Sequence, residues 1–213
     1  MTDKIKELKL IPSNDPRVLS SIAPFNDDML KEYDFKSRAE FSKAMFMACK
    51  KYGGIGLTGN QVGIPFRMFV MGNHLSLNNG EKHVCWNPKI SFRSPDEVMM
   101  SEGCLTFPYL FLNISRPRKI QVQYEDDEGK EIVRDFEGMF SRIYQHEYDH
   151  TLGVTFVEKV SKLKFDMAKK KAEKLYKREL QRAKLQKARQ ARQSITYSVG
   201  YIYCLFVEER YVY

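Results

Sequence analysis

An α+β fold is predicted, with antiparallel or mixed β-sheets packed around one central buried helix and a basic helix toward the C-terminal end. Three stretches carry that prediction. Residues 118–124 (RKIQVQY) and 131–136 (EIVRDF) alternate apolar and polar side chains about an Asp126–Gly129 turn, the pattern of a β-hairpin with one buried face. Residues 138–153 place Phe140, Ile143, Tyr144 and Leu152 around Gln145-His146-Glu147-Tyr148-Asp149-His150, which is apolar enough for a buried central helix. Residues 160–193 are rich in Ala, Lys, Arg, Gln and Leu, all good helix formers, and predict a charged helix.

The remaining elements follow in order. Residues 11–25 carry three prolines and an Asn-Asp-Pro turn signal, so an extended, pinned N-terminal arm is expected. Apolar residues at 35, 39, 41, 45, 48 and 52 form a helical stripe that Gly53-Gly54 would stop. Next come Gly54-Ile-Gly-Leu-Thr-Gly-Asn-Gln61 and the strand-like Arg67–Met71. The glycine spacing mimics a dinucleotide turn, but here the glycines follow a helix and precede a strand, the reverse of that context. They are better suited to letting an edge strand lie close to a substrate backbone, with Gln61 offering an amide. Asn73–Lys82 is a polar loop, and residues 84–93 form a strand interrupted at Pro88. Ser101–Pro108 stands between two apolar runs, with Cys104 in the loop. Ile195–Val207 alternates, is tyrosine-rich and suggests a strand or a tail without an assigned role. The division is residues 1–159 as the main domain, 160–193 as the basic helix and 194–213 as the tail.

The chain of 213 residues, with 43% hydrophobic content, is long enough to bury a core. Its four cysteines (49, 85, 104, 204) form no Cys-x-x-Cys pair, which argues against a zinc ribbon or a disulfide framework and suits a reducing cytosol. Residues 1–8 contain no apolar stretch of signal-peptide length, and no run is long enough for a membrane-spanning helix, so a cytoplasmic location and no membrane partner are expected. The net charge of +8 is uneven: residues 159–192 hold 14 basic and 3 acidic side chains, leaving −3 for the rest. A basic stripe of that kind attracts polyanions such as rRNA in a salt-sensitive way, unless it is only a solvated helix.

His146-Glu147-x-x-His150 supplies the chemistry. On a helix it sets two imidazoles one turn apart on one face, with Glu147 beside whatever they hold. The chain has only four histidines, at 74, 83, 146 and 150, so the pair is not drawn from a histidine-rich background. A catalytic metal site needs a third protein ligand. No histidine follows His150, which excludes the His-Glu-x-x-His-x-x-Gly-x-x-His type of protease. Downstream Glu173 or Glu179 would make a zinc endopeptidase, while upstream Cys104 would make a different hydrolase.

Gly54–Gln61, Glu102-Gly-Cys-Leu-Thr106 and Gln145–His150 together resemble the three signature motifs of the peptide deformylases, in the same order and at similar separations. The resemblance extends through most of residues 10–158. Thr58-Gly59 stands where that family usually has two alanines, and Thr106 where it usually has serine. The resemblance implies a tetrahedral site in which Cys104, His146 and His150 hold one divalent metal, with water as the fourth ligand. Fe(II) is favoured physiologically, and Zn or Ni fits the same ligands. It implies hydrolysis of the N-terminal formyl group of a formyl-Met nascent peptide, with Glu147 as general acid/base and Gln61 and the Leu105 backbone N–H on the developing oxyanion. Ile55, Gly56, Gly103 and Ile143 would line the substrate site. A monomer is expected, working in a cytosol or an organelle of bacterial descent, with the 160–193 helix docking on the ribosome.

Overall fold

The computed structural model describes residues 5–208, with side chains described as far as Gln190. The chain divides into two compact units between Ala168 and Lys169. In the first, an irregular arm leads through a short helix, α1 (Met29–Glu32), to α2 (Arg38–Lys51). Ser37 caps α2 by accepting the backbone N–H of Glu40, which starts the helix after Phe35 rather than at it. The strands then follow as β1 (Gly56–Thr58), β2 (Met68–Gly72), β3 (Lys82–Arg93), β4 (Glu97–Cys104), β5 (Phe107–Pro117), β6 (Lys119–Glu125) and β7 (Glu131–Glu137). Helix α3 (Gly138–Thr151) carries the histidine motif, and α4 (Lys162–Glu208) closes the described chain.

Every pairing among the described residues is antiparallel. Five strands form one sheet in the order β1-β2-β3-β6-β7, and β4 and β5 form a separate hairpin. At β2 the sheet is buried on both faces, which explains why that strand shows no alternation: Met68 and Val70 join a core with α2, Phe41, Phe66 and Trp86, while Phe69 and Met71 point to α3 and Tyr144. Each large apolar side chain removed from water in this way contributes about 1.5–3 kcal/mol. Helix α3 is the shared centrepiece, with ten of its residues buried, including His146, Glu147 and His150.

Three expectations are corrected. Strand β3 runs through Pro88 instead of stopping there, because a bulge between Trp86 and Lys89 absorbs the proline. Asn87 supplies that bulge at φ +48°, its amide bonded to the Phe25 backbone and to Glu125. Cys104 is the last residue of β4 and does not lie in the loop. Residues 195–207 continue α4 and are not a strand. Extending an existing helix fixes one residue per added hydrogen bond, a cost far below that of starting a new element, and no proline interrupts the run.

Candidate metal centre

The end of β4, the 3₁₀ turn after β1 and one face of α3 converge. Cys104 Sγ lies 3.3 Å from His150 Nε2, and the potential ligand atoms of Cys104, His146 and His150 all lie within 4.8 Å of one another. Metal–ligand distances of about 2.0–2.3 Å require tetrahedral ligand pairs about 3.5 Å apart, so this cluster fits a divalent ion. The donor set also fits, since a thiolate with two imidazoles suits Fe, Zn or Ni.

Electrostatics prepare the same set. Burial pushes the Cys104 thiol up, but His150 and His146 outweigh it and hold the group well below the ordinary thiol range. Burial lowers His146, yet its hydrogen bonds with Cys104 and Glu102 raise it to about 10. Metal binding at such a thiolate–imidazolium pair would release the imidazole proton.

Glu102 orients this pair and was not singled out by the sequence. Its Oε2 accepts from His146 Nδ1 at 3.0 Å, which fixes Nδ1 as the protonated nitrogen and leaves Nε2 for a ligand. Arg116 grips the same carboxylate through Nε at 2.6 Å and Nη2 at 2.9 Å, and Arg142 Nη1 adds a contact at 2.7 Å. Arg116 also reaches Asp149 at 2.6 Å, tying β5 to α3. Burial alone would raise Glu102; the hydrogen bonds of His146, Arg116 and Arg142 overcome it and keep the carboxyl well below its usual range. Arg116 and Arg142 lie in Ser-Arg-Pro-Arg and Phe-Ser-Arg-Ile, where nothing in the sequence separates a buried arginine from a surface one.

Glu147 receives the opposite treatment. It is buried and pushed up by desolvation, only partly countered by His146, His150 and Thr58. Thr58 Oγ1 donates to its Oε2 at 2.7 Å. A Cβ on Gly56 would overlap Glu147 Oε1, so glycine at this position makes room for the carboxylate. Gln61 is oriented from both ends: Oε1 accepts the Thr58 backbone N–H at 2.8 Å, and Nε2 donates to Thr106 Oγ1 at 2.8 Å and to Cys104 Sγ at 3.4 Å. The hydroxyls of Thr58 and Thr106 therefore contact Glu147 and Gln61 directly. The Gly59 departure has a steric reason, since a Cβ there would come within 2.6 Å of the Phe66 carbonyl.

A cavity of about 720 Å³ opens in front of this constellation. Ile55, Gly56, Gly103, Leu105 and Ile143 line it, as do Cys104, His146, Glu147 and Gln61, whereas His150 lies behind the wall. Tyr109 and Phe111 form part of the rim and were not expected from the sequence. Glu173 and Glu179, the alternative third ligands, belong to the second unit and are absent from the cluster.

A family model described as "Polypeptide deformylase" matches residues 14–166, nearly three-quarters of the chain. The chain belongs to the peptide deformylase family. The peptide deformylase of Brucella suis is 34% identical over 171 residues, covering 80% of this chain and 93% of the relative. That of Treponema pallidum is 36% identical over 141 residues, covering 65% and 82%. The crystal structure of the Ehrlichia chaffeensis peptide deformylase superposes with a TM-score of 0.67 at 30% identity, over 82% of this chain and 99% of that one. Peptide deformylases are metalloenzymes that remove the N-terminal formyl group from nascent peptides, and this chain is a hydrolase of the formyl-peptide amide.

Proposed function

We propose that Cys104, His146 and His150 hold one divalent metal, Fe(II) in the cell, and that the surrounding side chains hydrolyse the formyl group of formyl-Met nascent peptides. The observation that carries this reading is the convergence of three ligand atoms within 4.8 Å beside a buried carboxylate in an apolar cavity. When bound, the metal supplies Lewis acidity and lowers the pKa of water to near neutrality.

The chain's own residues do the rest. Glu147, desolvated and raised, accepts a proton from the attacking water and returns it to the departing amine, the form of general acid–base catalysis its position allows. The bond broken is the formyl C–N bond, and the products are formate and a free methionyl N-terminus. Charge develops on the formyl oxygen, toward which Gln61 Nε2 and the Leu105 backbone N–H serve as donors; one such donor is commonly worth about 10²–10³ in rate. The peptide adds as an extended strand along the free edge of β1 at Ile55 and Gly56 and along Gly103, with the methionine side chain against Ile55, Leu105 and Ile143.

The protein works as a monomer in a cytosol or an organelle of bacterial descent, with residues 1–159 as the catalytic domain. No helix among the described residues is long and apolar enough to cross a membrane. The basic segment at 160–193 docks on ribosomal RNA, for which its surplus of 10 positive charges (13 basic against 3 acidic) is the support. The test is formate release from formyl-Met-Ala-Ser by anaerobically metal-loaded protein. Steady turnover is expected, and its absence would contradict the assignment.

A further inference from the structure

Thr58 is fully buried at the end of β1, at the position where the first motif carries a hydroxyl in place of a methyl. Its single hydroxyl proton is directed at Glu147, with Oγ1 2.7 Å from Oε2 and 3.1 Å from the backbone carbonyl. The charged oxygen takes the stronger bond. Glu147 Oε1 is turned instead toward Gly56, against the strand edge, where a side chain would overlap it. The same residue also reaches Gln61, its backbone N–H donating to Oε1 at 2.8 Å and so turning the Nε2 group toward Thr106 and Cys104.

We propose that Thr58 is a positioning residue that occupies Glu147 Oε2 and thereby assigns proton transfer to Oε1, while its backbone aims the Gln61 amide. The inference rests on the roles given above to Glu147 and Gln61. One residue would then set both the proton-transfer group and the oxyanion donor. The simpler alternative is that Thr58 only caps a turn, in which case its loss would lower stability without touching turnover per folded molecule.

The experiment compares Thr58→Val, which is isosteric but lacks the hydroxyl, with Thr58→Ser, which keeps it. Formate release is measured at equal metal content alongside the Tm. Thr58→Val should lose about tenfold to a hundredfold in kcat, the scale of a misplaced catalytic group. Its KM should stay within about twofold, because substrate binding is untouched. Thr58→Ser should recover most of the loss. Wild-type kcat in Thr58→Val, or a serine variant no better than the valine one, would overturn the proposal. If the valine variant does not fold, Thr58→Ala, which cannot overpack the site, should show the same loss of kcat. A crystal structure of whichever hydroxyl-free variant folds gives a readout independent of turnover. The Glu147 carboxylate should rotate from its present orientation, and an unmoved carboxylate would refute the positioning role. Failure of the wild-type protein to release formate would instead count against the hydrolytic reading on which this inference rests.

Discussion

Two buried glutamates flank the histidine pair, and the molecule treats them in opposite ways. Glu102, at the end of β4, is held by two arginines and His146 and kept well below the usual carboxylate range. Glu147, on α3, has one hydroxyl donor and no arginine partner among the described residues, and burial pushes it up. The residue type and the burial are shared; the partners differ. A carboxylate saturated by cations is a fixed anchor that orients an imidazole, whereas one left with a single neutral donor and raised by burial holds a proton more readily. The contrast supports the proposed roles, orientation on one side of the site and proton transfer on the other.

Both glutamates are arranged about the same three candidate ligand atoms, so the largest effect is expected on removing one of those. Cys104→Ala should lose the metal, read as metal per chain, and turnover with it. Metal retained in Cys104→Ala but lost in Glu173→Ala would break the scheme. On the anchoring side, Glu102→Ala leaves Arg116 and Arg142 buried without their carboxylate and should cost about 3 kcal/mol in denaturant unfolding. Because the folded carboxyl lies below its ordinary value of 4.5, its contribution is present above that pH and is lost as pH falls below it. Acid unfolding of the wild type should therefore show a loss of stability below about pH 4.5 that Glu102→Gln lacks.

On the proton-transfer side, Gly56→Ala should drive Glu147 Oε1 from its place and cost about 10² in kcat, with the fold retained. An unchanged kcat would mean that the placement of the carboxylate does not matter. The smallest effect belongs to the second unit. Replacing Lys169, Lys170 and Lys171 with Glu should leave formate release from a tripeptide unchanged and weaken ribosome co-sedimentation; unchanged co-sedimentation would remove the docking role.

Much of this arrangement was legible in the sequence. The β6–β7 hairpin follows from the alternation on either side of the Asp126–Gly129 turn, and α3 from apolar residues around the histidine motif. Three short motifs drew Gln61, Cys104, His146, Glu147 and His150 together. The anchoring side was hidden because Arg116 and Arg142 lie 14 and 40 residues from Glu102 and acquire their meaning only when β4, β5 and α3 meet. The Asn87 bulge escaped for a related reason, since its pairing depends on Phe25 and Glu125, both distant in the chain. At Thr58 the unexpected hydroxyl was visible, but its target, 89 residues away, was not.

The division of labour between the two glutamates is tested most directly by turnover of Glu147→Gln at one metal per chain. Formate release should fall by about 10³ while the metal stays bound, within the range that general acid–base catalysis contributes. Turnover at the wild-type rate in that metal-loaded variant would contradict the assignment of Glu147 as the group that moves the proton.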